Sequence, residues 1–152
     1  MKLAPARTAL LAVCLTACGT TSHSYNVSAA PGGETPACTT LITKTPTKLA
    51  GRTRKTSGPE GTAVWGDGDV ILRCGDISNV PPSAPCSTMN GVAWIVNEHK
   101  SEHGDRTLLS YARTPAVEIT LSNRLKNQSA ILRYLSTTMP ALPEPPKCPN
   151  GN

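Results

Sequence analysis

The chain has 152 residues and a formal net charge of +5; 38% are hydrophobic, and the aromatic residues are two Trp, three Tyr and no Phe. A core must therefore be built from Val, Ile, Leu and Ala around Trp65 and Trp94, and no apolar run reaches the roughly 20 residues of a membrane-spanning helix. These counts exclude a polytopic membrane protein, a coiled coil, a repeat array and a large enzyme.

Residues 1–7 carry Lys2 and Arg7 and no acid, and residues 8–17 are an apolar stretch. That order is the charged and hydrophobic halves of an export signal. Leu15-Thr16-Ala17-Cys18 follows, then Gly19. These residues resemble the lipobox of bacterial lipoproteins, in which small side chains admit the backbone to the signal peptidase and the cysteine sulfur accepts a diacylglyceryl group. The resemblance implies that residues 1–17 are a signal peptide, removed together with Cys14, and that Cys18 becomes a lipid-bearing first residue. Acyl chains such as palmitate contribute about 0.8 kcal/mol per buried methylene, and two chains suffice for stable anchoring. The expected location is the outer face of the cytoplasmic membrane.

Without Lys2 and Arg7, 13 basic residues face 10 acidic ones, a net of +3. Lys44, Lys48, Arg52, Arg54 and Lys55 form the one basic concentration. Its plain reading is a solvated face; its functional reading is attraction to anionic lipid headgroups or an anionic wall polymer. No stacking aromatics accompany it, so nucleic acid is not an expected partner.

Four cysteines remain: Cys38, Cys74, Cys86 and Cys148. An even number in an exported domain reads as two disulfides, with three possible pairings. The preferred pairing joins Cys74 with Cys86, closing a short loop that contains Pro81, Pro82 and Pro85, and Cys38 with Cys148, tying the start of the domain to its tail. No Cys-x-x-Cys pair supports a zinc site.

In chain order, residues 18–36 are rich in Gly, Ser, Thr, Ala and Pro and read as a flexible tether spanning roughly 25 Å. Residues 37–49 have partial helical spacing, interrupted by Pro46, with Gly51 as a stop. Residues 52–56 suit a polar edge strand, 57–61 a turn, 62–65 the start of an apolar strand and 66–69 a second turn. Residues 70–74 are a strand and 77–87 a proline loop. Asn90-Gly91 is a hairpin signal, followed by a strand over 92–97. Residues 98–106 are a charged hairpin tip. Strands follow over 107–112 and 117–121, and a helix over 127–138. Residues 140–152 hold five prolines and form an extended tail pinned at Cys148. The expected fold is α+β: an antiparallel sheet of about four to five strands with two helices on one face, stapled by disulfides. Residues 37–148 make up one domain of unknown function, and 149–152 a short tail.

Five segments taken together are distinctive: Ala63-Val64-Trp65-Gly66-Asp67; Val70-Ile71-Leu72-Arg73-Cys74-Gly75; Cys86; Gly91-Val92-Ala93-Trp94-Ile95-Val96; and Tyr111-Ala112-Arg113-Thr114-Pro115-Ala116-Val117-Glu118. In this order the chain resembles the actinobacterial family of secreted proteins and lipoproteins known as domain of unknown function 3515, over residues 36–148. Gly68-Asp69 stands where members often have proline, which implies a different turn. Ala112 stands where many have glycine, which argues against an obligatory positive φ there. The resemblance implies an exported envelope protein and brings no catalytic residues.

Trp65, Arg73, Trp94, Tyr111 and Arg113 are the candidate binding residues. Alternation places Leu72 and Cys74 on one sheet face and Ile71 and Arg73 on the other. Arg73 and Arg113 have forks suited to a carboxylate or phosphate; the plain alternative pairs them with Asp67, Asp76 or Glu118. The tryptophans read more simply as core plugs. His99 and His103 are four apart beside Glu98, Glu102 and Asp105, but on an expected hairpin tip rather than a metal-binding helix. No nucleophile elbow, phosphate loop or calcium loop occurs, and a hydrolytic triad lacks a placed histidine, because His23 lies in the tether. The expected function is a non-catalytic binding or assembly module with no cofactor, its partners a membrane through the anchor and an envelope protein or wall polymer. The alternatives are a small envelope enzyme or accessory subunit using an Arg/carboxylate pocket, and a solute carrier, for which the hydrophobic content leaves little cavity wall.

Overall fold

A computed structural model describes residues 25–78 and 80–149. The expected signal peptide, Cys18, His23 and tail residues 150–152 lie outside the described residues.

The first helix, α1 (Pro36–Lys44), starts with proline, whose missing N–H is one the first turn leaves unpaired anyway. It is shorter than expected. Pro46 disfavours helical backbone just before it, so the helix stops at Lys44 and the Thr45 hydroxyl donates to the Ile42 carbonyl at 2.7 Å. The chain then makes a two-stranded hairpin, β1 (Lys48–Leu49) and β2 (Arg52–Thr53), where the sequence suggested helix to residue 49.

Six antiparallel strands form the main sheet: β3 (Thr62–Trp65), β4 (Val70–Gly75), β5 (Cys86–Met89), β6 (Val92–Val96), β7 (Arg106–Ser110) and β8 (Ala116–Leu121). Their spatial order is β3-β4-β8-β7-β6-β5. The strand beyond the expected count is β5, whose first two residues fall within the expected proline loop over 77–87. The second helix is α2 (Gln128–Ser136), capped by the Asn127 side chain, which accepts from the Ala130 N–H at 3.1 Å.

Alternation sorts the sheet into two faces. Trp65, Val70, Leu72, Cys74, Trp94, Leu108, Val117, Ile119 and Leu121 point to one side and are buried there beneath Cys38 and Leu41 of α1 and Ile131, Leu132 and Leu135 of α2. Both helices thus cover one face, as expected. The opposite face has a smaller apolar cluster of Ala84, Ile95, Leu109 and Ala116, with Ile77 and Val80 of the proline loop packed against it.

The disulfides correct the expected pairing: Cys38 is bonded to Cys74 and Cys86 to Cys148. Cys74 and Cys86 lie on strands separated by β8, β7 and β6. Four strand spacings of about 4.8 Å leave about 19 Å between them, against a disulfide limit near 7 Å. Cys38 instead lies over β4 on α1, its Cα 5.5 Å from that of Cys74. Cys148 fastens the tail to the edge strand β5, with Cα atoms 5.6 Å apart.

Two more expectations change. The tether is not free to residue 36: Ala30 is buried, and the Pro31 carbonyl accepts from the Asp76 N–H at 2.6 Å. This segment crosses the start of β3 so closely that a Cβ added at Gly61 would lie 2.6 Å from Gly33 Cα. Ala112 does adopt positive φ, at 51°, because the chain reverses there immediately after Tyr111 makes its last ladder bond, N–H to the Ala93 carbonyl at 2.8 Å. Among the described residues, no helix is long and apolar enough to cross a membrane.

Candidate functional site

The five candidate residues do not converge. Trp65 and Trp94 are fully buried beneath the helices, and each indole N–H is used within the core. Trp65 donates to the Pro46 carbonyl at 2.9 Å, and Trp94 to Ser136 Oγ at 2.8 Å. Both are core plugs, so neither is a ligand platform. Tyr111 is half-buried against the smaller apolar cluster.

Arg73 lies on the opposite face, directly across from Glu118 in the β4–β8 register. Its Nη1 meets Glu118 Oε1 at 2.9 Å, its Nε donates to the Ser28 carbonyl at 2.9 Å, and Lys100 Nζ holds Glu118 Oε2 at 2.8 Å. A buried carboxylate between two cations is satisfied. This is the structural pairing considered for Arg73, and it engages both Nε and Nη1 of the guanidinium. Lys100 was not foreseen as the second partner.

Among the described residues Arg113 pairs with no carboxylate. It donates to the carbonyls of Pro140 at 2.8 Å and Gly91 at 3.2 Å, and its Nε is buried without a partner. Burial pulls its guanidinium below the ordinary value. It borders a largely apolar cleft of about 420 Å³ with Leu41, Pro115, Met139 and Leu142. Two of the acids offered as its plain partners are engaged elsewhere: Asp67 pairs with Lys55 at 3.1 Å, and Glu118 with Arg73. His99 falls in a short 3₁₀ turn (Glu98–Lys100) and His103 at a positive-φ position in the following loop.

A different cluster emerges from the fold. The β1–β2 hairpin and the start of α2 border an open groove of about 610 Å³. Lys48 and Arg52 line one wall and Arg124 and Lys126 the other, over Leu49, Leu125 and Ile131, with Tyr134 beside them. Behind it, Asp69 bridges the walls: Oδ2 meets Arg52 Nε at 2.8 Å and Oδ1 meets Arg124 Nε at 2.7 Å. Burial alone would raise the Asp69 carboxyl, but the hydrogen bonds and charges of Arg52 and Arg124 outweigh it and hold the group below its ordinary value. The basic run over residues 44–55 signalled one wall. The other comes from the far end of the chain, and nothing local in the sequence connects the two.

The family model described as "Protein of unknown function (DUF3515)" matches residues 6–146. No curated protein and no solved structure matches the chain.

Proposed function

The chain belongs to the family of proteins of unknown function DUF3515, and from that premise we propose that it is a lipid-anchored, non-catalytic binding or assembly module on the outer face of the cytoplasmic membrane. The observation that carries the reading is the pair of disulfides placed behind a lipobox-like segment. Bonds of this kind persist in oxidising, extracytoplasmic compartments. One joins a helix to the central sheet and the other fastens the tail, so oxidation is part of how the fold is held. Leu15-Thr16-Ala17-Cys18-Gly19 supplies the anchor. Two acyl chains then retain the domain at the bilayer.

The non-catalytic reading draws support from how the carboxylates are used. Glu118 is held by Arg73 and Lys100, and Asp69 by Arg52 and Arg124. Each serves as a joint in the fold rather than as an acid or base waiting for a substrate. The pocket enzyme has one observation in its favour, the partnerless Nε of Arg113, but among the described residues no carboxylate pairs with that side chain. Fractionation of cells expressing the wild type and Cys18→Ala tests the anchor. The wild type is expected in the membrane fraction and the variant in the medium; equal membrane retention of both overturns the anchor.

A further inference from the structure

The groove between the β1–β2 hairpin and α2 is explained by neither the anchor nor the core. Four cations line it and no acid does. Asp69 neutralises part of that charge from behind, while Lys48 and Lys126 form no ion pair among the described residues. Arg52 and Arg124 are each fixed through Nε on Asp69 and through one terminal nitrogen on a backbone carbonyl, of Ala50 and Asp67 respectively. Arg52 Nη2 and Arg124 Nη1 have no partner among the described residues. The floor is apolar, and Tyr134 is 51% exposed, one of two large hydrophobic side chains left so open among the described residues.

We propose that this groove binds a phosphate-bearing polysaccharide. Lys48 and Lys126 supply mobile point charges to the phosphates, the two pre-positioned arginines each supply one remaining terminal nitrogen as a donor, and Tyr134 offers its ring face to a sugar. The exposed Tyr134 ring beside the four cations favours a sugar-bearing polyanion over a bare phosphate surface. The proposal rests on the binding-module reading and specifies its ligand, while remaining independent of the anchor.

The full chain in detergent micelles is titrated with phosphomannan, unphosphorylated mannan, inorganic polyphosphate, and vesicles of phosphatidylglycerol in phosphatidylcholine. Phosphomannan is expected to bind with an affinity that falls steeply with salt, and mannan is not. Lys48→Ala/Lys126→Ala should weaken phosphomannan about tenfold. Tyr134→Ala should weaken phosphomannan about fivefold and leave polyphosphate unchanged. Lys44→Ala, which removes an exposed cation outside the groove, should bind like the wild type. The substituted side chains are exposed or unpaired, and a thermal melt of each variant checks folding. The proposal is overturned if phosphomannan does not bind or the groove variants bind like the wild type. It is equally overturned if Tyr134→Ala leaves phosphomannan binding intact, or if vesicles bind through the same residues while phosphomannan does not. Cys18→Ala is titrated alongside, so a failed anchor and a failed groove give different results.

Discussion

Replacing Asp69 with Asn should loosen the corner where three parts of the chain meet. The carboxylate joins Arg52 of the β1–β2 hairpin to Arg124 at the approach to α2, and the Asp69 carbonyl accepts from the Ser122 N–H at 2.9 Å. The Asp69 side chain is 14% exposed, against 29% for Arg52 and 43% for Arg124, so solvent screens each pair from the arginine side. Exposed ion pairs contribute about 0.2–1 kcal/mol and hydrogen bonds to charged groups somewhat more, so two such contacts stabilise by about 2 kcal/mol. In a chain of this size that corresponds to a fall in Tm of roughly 6–10 °C at pH 7. The sign of the pH dependence follows from the depressed Asp69 pKa. Its stabilisation is present above the unfolded carboxylate value of about 3.9 and is lost as pH falls through the folded value. Thermal melts of the wild type and Asp69→Asn from pH 7 to pH 2 should therefore converge at the acid end, and 1 M salt should narrow the gap at pH 7. A gap that is undiminished at pH 2, or no gap at pH 7, refutes the reasoning.

Three further outcomes follow from the backbone and the disulfides. Non-reducing peptide mapping should recover Cys38 linked to Cys74 and Cys86 linked to Cys148. In the chain-entropy model, opening either bond by Cys→Ser pairs costs about 4 kcal/mol, and a Cys74-to-Cys86 peptide would contradict the sheet order. Ala112→Gly should raise stability by about 0.5–1 kcal/mol in chemical denaturation, because φ of 51° strains a residue with a Cβ; a loss of stability would count against that backbone. Gly61→Ala should destabilise by more than about 2 kcal/mol in the same assay, since its Cβ would collide with the Gly33 backbone; a neutral result would mean that residues 30–33 do not pack there.

The strands that were legible in the sequence have apolar residues on a strict two-residue period. Val70, Leu72 and Cys74 fell on the buried face and Ile71 and Arg73 on the other, as alternation requires. The edge strand β5 was not legible because Cys-Ser-Thr-Met buries little on either face and follows three prolines. The α1 boundary was misplaced because Leu49 fits a helical spacing yet is buried from a hairpin. Disulfide pairing was hidden for a topological reason: sequence proximity favoured Cys74 with Cys86, while β8 inserts beside β4 and moves β5 to the far edge. The candidate residues were chosen for being large or charged, and all five serve packing or internal hydrogen bonds. The basic groove escaped because its two sides are remote in sequence and are brought together by tertiary packing and by Asp69.

The anchor is tested most directly at residue 18. Cells expressing the tagged wild-type chain are labelled with an alkyne palmitate analogue, and the N-terminal peptide of the purified protein is identified by mass spectrometry. The account predicts a peptide that begins at Cys18 and carries a diacylglyceryl group. A peptide that runs unprocessed through Cys18, or one with a free thiol there, would contradict it.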